Sequence, residues 1–234
     1  MRTIVIPTLN EGDNIRRLIE SIFEVIDSDE VSIIVVDDDS TDGTQTIVTE
    51  LRKRFPSVRL LVRKRIRGLG SAVRFGASQA EKGSVVVMDA DLSHDPRHLP
   101  AFFEQLDRGF DVVVGSRYVP GGRTEGWPGK RIAVSKVATL VARLLFRLPV
   151  RDPMSGFVGC RSGRILAEGF RFADYKFLLE MMVTNRSLHV TEVPIVFRDR
   201  MRGKSKLKGR TMLLYLELVA RLLYQGVRHR RNSP

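Results

Sequence analysis

The chain is 234 residues long, with 43% hydrophobic and 28% charged residues; that suits one globular domain with at most an appendage and excludes a disordered or fibrous chain. A single cysteine, Cys160, excludes an intrachain disulfide framework and a cysteine zinc cluster, and fits a reducing compartment. Of the net charge of +12, +9 falls between Arg198 and Pro234, where eleven Lys or Arg stand against Asp199 and Glu217, so an anionic partner (nucleic acid, membrane surface or phosphate groups) is expected near that end.

In chain order, short β-branched runs alternate with helical patterns. Strands are predicted at Thr3 to Pro7, Val31 to Val36, Val58 to Val62, Ser84 to Met88 and Asp111 to Gly115, and helices at Asn14 to Ile26, Gly43 to Phe55, Ser71 to Lys82 and Pro96 to Arg108. Continuous runs such as IIVV and VVVM suit strands buried on both faces, and their alternation with helices predicts an α/β fold with a mainly parallel sheet. The segment Ser116 to Arg131 carries four Gly and two Pro and reads as a long, mobile, functional loop. A helix from Ile132 to Leu148, a helix near Tyr175 to Asn185, a strand around Val190 to Phe197 and a closing amphipathic helix from Thr211 to Val227 complete the chain.

Neither a secretion signal nor a membrane span is expected. No apolar signal core with a small-residue cleavage site follows Met1. The two longest apolar stretches are broken by Lys136, Arg143 and Arg147 and by Glu217 and Arg221, whereas a bilayer span needs about 20 predominantly apolar residues.

In open parallel sheets, ligands bind beyond the carboxyl ends of the strands, and polar residues collect there in this sequence. Thr8, Asn10 and Glu11 follow the first strand, Asp37, Asp38 and Asp39 the second, and Asp89 and Asp91 the fourth. Carboxylates from three strands at one edge repel one another, and a divalent cation would resolve the conflict. Two aspartates one residue apart can share Mg²⁺ or Mn²⁺, with water and substrate phosphates completing the shell. Standing alone, an Asp-x-Asp reads more readily as a turn in which Asp95 or Ser93 caps the helix from Pro96, and Ser40 or Asp42 would cap the helix after Gly43 in the same way. Gly68 and Gly70 do not complete a dinucleotide fingerprint, and neither a phosphate-binding P-loop nor a nucleophile elbow is present. His94 and His98, four apart at a proline-led helix start, are expected at the surface.

The runs IPTLNEGDNI, VVDDDSTDGT, IRGLGSAVRFG, VMDADLSHDP, VGSRYVPGG, WPGKRIAVSK, RDPMSGF, KFLLEM and EVPIVFRDRMRGKSKLKG together resemble the inverting family two glycosyltransferases of GT-A fold, and most closely the dolichol-phosphate mannose synthases. The match runs in family order from about residue 3 to residue 210. The resemblance implies a catalytic domain over residues 1–210; the wide apolar face of the helix that follows and the basic residues from Arg221 to Arg231 are expected to attach residues 211–234 peripherally to a membrane. It implies that Pro7, Thr8, Glu11 and Asp38 line the pocket for a guanine nucleotide sugar, that Asp89 and Asp91 hold Mg²⁺ or Mn²⁺ against its diphosphate, that Arg117, Arg131 and Ser135 meet the acceptor phosphate, and that Arg202 and Lys208 lie at the phosphate-bearing end. Asp91, Arg117 and Arg131 would carry catalysis. The sequence departs from the common family pattern at Leu9, where an aromatic is usual, at Ser93, where Gln often helps the metal, and at Lys204, where Glu is frequent.

The implied reaction moves mannose from GDP-mannose to a dolichyl or polyprenyl phosphate on the cytoplasmic face of a membrane, with peripheral attachment to its anionic surface and room for a separate membrane subunit. A phosphate acceptor has a second pKa near 6, so its oxygen is anionic at neutral pH and needs no dedicated base, which accounts for basic rather than acidic residues crowding the second half. Another donor such as UDP-glucose is the nearest alternative. A nucleic-acid-binding module is the distant one, and it leaves the carboxylate clusters without a purpose and lacks interleaved aromatics; no nucleic-acid partner is expected.

Overall fold

The computed structural model describes residues 1–64, 67–161, 176–199 and 215–224. Contacts divide the chain into two compact units, Met1–Arg202 and Gly203–Pro234.

The first unit is built on a seven-stranded sheet in the order β3-β2-β1-β4-β7-β5-β8. Its strands are β1 (Arg2–Thr8), β2 (Val31–Asp37), β3 (Val58–Val62), β4 (Ser84–Val87), β5 (Val112–Ser116), β7 (Val158–Arg161) and β8 (Val190–Pro194). Every pairing is parallel except those of β7, which runs antiparallel to both β4 and β5. The mainly parallel α/β sheet predicted from the Val and Ile runs is therefore present, and β7 is an element that the sequence pattern did not announce. The small second sheet pairs β6 (Arg123–Glu125) in parallel with β9 (Val196–Arg198). The expected long loop from Ser116 to Arg131 is thus shortened from both ends and pinned in the middle, because β5 reaches Ser116 and the following helix begins at Gly129. The single strand expected over Val190 to Phe197 is divided at the buried Ile195 between the two sheets.

Helices α1 (Gly12–Phe23), α2 (Thr44–Arg54), α3 (Leu69–Ser78), α4 (Leu99–Asp107), α5 (Gly129–Phe146) and α6 (Phe177–Thr184) connect or follow the strands. In α1, Ile15, Leu18, Ile19 and Ile22 recur at helical spacing and are fully buried while Arg16 and Arg17 face water, the stripe that docks a helix on a sheet. Gly76 lets α3 lie directly on β1 and β2: a Cβ there would stand 2.5 Å from a Val5 methyl and 2.8 Å from a Val36 methyl. On the other half of the sheet Phe102 of α4 stacks on Phe157 at 4.3 Å, with Gly159 leaving room for the Phe102 ring. Burial of such side chains contributes roughly 1.5–3 kcal/mol each.

In the second unit, residues 215–224 are helical, with Tyr215, Leu218, Val219 and Leu222 buried and Leu216, Leu223 and Tyr224 exposed. The other residues of the helix predicted over Thr211 to Val227 lie outside the described residues, as do Arg202, Lys204 and Lys208. Among the described residues no helix is long and apolar enough to cross a membrane.

Candidate active site

The order β3-β2-β1-β4 puts the switch in strand direction of travel between β1 and β4, the place where open α/β sheets bind ligands. Three non-glycine residues with left-handed backbone, Asn10 (φ 56°), Asp39 (φ 62°) and Leu92 (φ 62°), sit in the turns after β1, β2 and β4. Strain of this kind costs about 1–2 kcal/mol per residue and persists where the surroundings fix the turn. Here the turns are laced together: Asn10 N–H donates to Ser40 Oγ at 2.8 Å, Thr41 N–H to Asn10 Oδ1 at 3.0 Å and Gly12 N–H to Asp42 Oδ2 at 2.8 Å.

The three aspartates after β2 divide into distinct tasks. Asp37 is fully buried and accepts bonds from Thr8, Ser40 and Gln45, so it is a strut. Asp38 accepts from Arg63 Nε at 2.7 Å through one oxygen and from Gly68 N–H at 2.8 Å through the other; it fixes the turn before α3. Asp39 is more open and lies 3.9 Å from Arg67. Pro7 and Thr8 are buried at the end of β1, while Glu11 holds the start of α1 by accepting from Asn14 Nδ2 at 2.9 Å. Asp42 satisfies the Thr44 N–H at 3.1 Å, although Gly43 is the residue at the N-cap of α2, and Asp95 takes the corresponding role before Pro96 by accepting from Arg97 N–H.

Beyond β4, Asp91 is buried and one of its oxygens, Oδ1, accepts from both the amide and the hydroxyl of Ser93. Ser93 therefore orients Asp91. Asp89 is partly open, and a Cβ on Gly156 would stand 3.4 Å from Asp89 Oδ2, so glycine keeps that flank of the carboxylate clear. Two carboxylates one residue apart, one held rigidly and one with an open flank, are a donor set suited to Mg²⁺ or Mn²⁺ with phosphate oxygens and water in the remaining positions.

His94 corrects the sequence expectation of a surface position. It is fully buried, stacks on Phe157 at 4.7 Å, meets Phe197 edge-on at 5.3 Å and accepts the Asp89 N–H through Nδ1 at 3.2 Å. Burial pushes its pKa down, against the pull of Asp89 and Asp91, so it stays a neutral acceptor behind the carboxylates. His98 is half-buried and accepts the Val196 N–H at 3.3 Å. The proline-led helix packs inward at β9, which is why neither histidine faces solvent freely.

The arginines form the opposite wall. Arg117 is buried and grips the fully buried Asp152 with two nitrogens, Nε at 2.7 Å and a terminal nitrogen at 2.8 Å. Burial opposes its charge, but the bonds to Asp152 outweigh that and hold its pKa above the ordinary value. Asp152 is set by Glu192, which accepts the N–H groups of Arg151 at 2.7 Å and Asp152 at 3.0 Å. Arg131 lies over the Trp127 ring at 4.0 Å and pairs with Asp199 at 2.9 Å, and Arg117 stands 5.4 Å from the same ring. Ser135 receives the Tyr118 hydroxyl at 2.8 Å. Lys176 donates to the Met154 carbonyl at 2.9 Å, and burial pushes its pKa down to about 8, with Arg117, Asp152 and Asp89 all acting on it.

The structure thus brings Asp89 and Asp91 into one electrostatic neighbourhood with Arg117, linked through His94, Phe197 and Trp127. Arg131 and Ser135 reach it on the first turns of α5. Sequence reasoning assigned no role to Asp152, Glu192, Arg63 or Lys176. RDPMSGF, KFLLEM and EVPIVFRDRMRGKSKLKG did mark Asp152, Lys176 and Glu192 as motif residues, and only Arg63 lies outside the quoted runs.

A family model described as glycosyl transferase family 2 matches residues 3–170. A dolichol-phosphate mannosyltransferase of Pyrococcus furiosus is 39% identical over 225 residues, which are 94% of this chain; the chain spans 63% of that relative's length. The Saccharomyces cerevisiae protein of the same name is 34% identical over 94% of this chain and 86% of its own. Among solved structures, glucosyl-3-phosphoglycerate synthase from Mycobacterium tuberculosis, in complex with Mn²⁺, UDP-glucose and phosphoglyceric acid, aligns with a TM-score of 0.70 at 19% identity, covering 96% of this chain and 79% of that one. A mannosyltransferase from Pyrobaculum calidifontis in complex with GDP-Man and Mn²⁺ aligns with a TM-score of 0.68 at 18% identity, covering 100% and 65%.

Proposed function

From the premise that the chain belongs to glycosyl transferase family 2 and has the GT-A fold, we propose that it transfers mannose from GDP-mannose to a dolichyl or polyprenyl phosphate with inversion at the anomeric carbon. The observation that carries this reading is the pairing of the Asp89–Asp91 turn with the buried Arg117 wall in one neighbourhood. A diphosphate leaving group and a phosphate nucleophile are both anionic and need such opposed partners.

Pro7, Thr8, Glu11 and Asp38 shape the donor pocket, and Asp89 and Asp91 hold Mg²⁺ or Mn²⁺. When bound, that ion acts as a Lewis acid on the departing diphosphate. Asp91, oriented through Ser93, and Asp89, whose backbone N–H is held by His94, are the residues that would hold it. Arg117, immobilised by Asp152, and Arg131, laid on Trp127, orient the acceptor phosphate, and Ser135 donates or accepts at its edge. Because the phosphate oxygen is already ionised above about pH 6, none of these residues has to remove a proton.

The acceptor's lipid nature gives a place to the exposed apolar face of α5, where Val137 and Leu144 are 61% and 70% exposed and Val134, Leu140 and Leu145 accompany them. With the basic residues after Arg198 it supports peripheral attachment to the anionic cytoplasmic face of a membrane, and the buried free thiol of Cys160 fits a reducing compartment.

The test is incubation with GDP-mannose, UDP-glucose and other nucleotide sugars, Mg²⁺ and polyprenyl phosphate, followed by mass analysis of the lipid. Mannosyl phospholipid from GDP-mannose is expected; a product from UDP-glucose alone, or none from any donor, would overturn the reading.

A further inference from the structure

Lys176 stands where a lysine is locally unfavourable. It occupies the N-cap of α6, a position that suits Ser, Thr, Asp or Asn; the positive end of the helix dipole opposes its charge, and so does burial. Local choices that work against the fold gather at functional sites. Its ammonium donates to the Met154 carbonyl at 2.9 Å, which ties α6 to the turn that precedes β7.

That turn serves both sides of the site. It is closed by the Ser155 N–H on the Asp152 carbonyl at 3.2 Å. At its start Asp152 grips Arg117; at its end is Gly156, where a Cβ would stand 3.4 Å from Asp89 Oδ2 and 3.7 Å from the His94 ring. Phe157, next in the chain, stacks on the same ring at 4.7 Å. Met154 lies between these ends and is buried, so the lysine holds the turn at its middle. Arg117, Asp152 and Asp89 are also charges close enough to act on its ammonium.

We propose that Lys176 is a positioning residue for the transfer: by pinning the turn over residues 152–156 it fixes the spacing between the carboxylates that would hold the ion and the arginine that meets the acceptor phosphate. This rests on the mannosyl transfer reading. Direct attack on an anomeric carbon needs the reacting atoms about 3–3.5 Å apart, and a misplacement of about 1 Å costs on the order of 10²-fold. The donor pocket of Pro7, Thr8, Glu11 and Asp38 lies at and beyond the ends of β1 and β2, so its affinity does not depend on the lysine.

The experiment compares the wild type, Lys176→Met and Lys176→Arg as full-length proteins near neutral pH. Methionine keeps the unbranched apolar stem and removes the donor, whereas arginine keeps donor and charge. In Lys176→Met, kcat with GDP-mannose and farnesyl phosphate should fall about 10- to 100-fold, while KM for GDP-mannose stays within about three-fold. Its urea midpoint should be no lower than that of the wild type, because the buried ammonium itself opposes folding below about pH 8. Trp127, the chain's one tryptophan, stands 5.4 Å from Arg117 and gives a readout without turnover: its quenching by acrylamide should rise as the Arg117 wall loosens. Lys176→Arg should recover most of the rate and the wild-type quenching. A wild-type kcat in Lys176→Met, a fall in kcat matched by a fall in urea midpoint, unchanged Trp127 quenching, or no recovery with arginine would overturn the proposal. Absence of mannosyl transfer by the wild type would instead defeat the reading of the reaction, and Trp127 would still report whether the lysine holds the wall.

Discussion

Asp91 and Asp152 are both buried carboxylates, yet substitution should affect them in opposite ways. On the proposed reading, in which Asp91 holds the ion that steadies the leaving diphosphate, Asp91→Ala should lower transfer at least about 10²-fold, while loss of the Ser93 bonds costs only about 1 kcal/mol; steady-state rates beside a urea melt separate the two. Asp152→Ala strands the buried Arg117 charge and should cost about 3–5 kcal/mol, read directly from urea unfolding. Lys176 allows a test of sign. Its folded pKa is about 8 against about 10.4 in an unfolded chain, so below about pH 8 both states carry the proton and the burial penalty is fully present. Between those values the unfolded state binds more protons, and stability should rise with pH. Comparison with Lys176→Met should therefore shift toward the wild type by on the order of 2 kcal/mol from about pH 7.5 to 10.5. The carboxylates at the strand ends were legible from position alone, since any polar residue there faces the ligand edge. What each one does was not: Asp37, Asp38 and Asp39 are adjacent and chemically identical, and only their partners Ser40, Arg63 and Arg67 distinguish them.

Among the elements, local periodicity located the strands and helices of the first half to within a few residues, because each is long enough to show its own burial. β7 escaped because its four residues are paired with strands more than forty residues distant in sequence, and a short apolar run between Gly156 and Arg161 carries no period. β6 escaped for the same reason: Arg123 to Glu125 is polar, and it is a strand only because Val196 to Arg198 lies beside it. Tight packing between elements also reverses an ordinary rule. Ala is normally better than Gly inside a helix by about 1 kcal/mol, but at Gly76 the added methyl meets the stiff branches of Val5 and Val36. Gly76→Ala should therefore destabilise by about 1–3 kcal/mol, checked by thermal unfolding.

At the scale of the whole molecule, charge and apolar surface point the same way. The protein should sediment with phosphatidylglycerol vesicles at about 50 mM salt and much less at about 500 mM, where the screening length is only a few ångströms. Leu144→Glu, placed at the most exposed apolar position of α5, should weaken that association about ten-fold or more, since a leucine's transfer out of water is worth about 1.5–3 kcal/mol. An unchanged partition would separate α5 from the lipid.

The antiparallel strand also sets a timetable. β4 and β5 are complete by residue 116, but they are not neighbours; β7, ending at Arg161, fills the gap between them. Until the ribosome has released that segment, the nascent chain carries one open strand edge on β4 and another on β5, each a template for a foreign strand. Closing them needs contacts that span a long loop, the slow kind. The middle of this sheet is therefore completed long after β4 and β5 that flank it, with only β8 still to follow, and the turn carrying Asp89 and Asp91 gains the Gly156 wall beside it only at that moment.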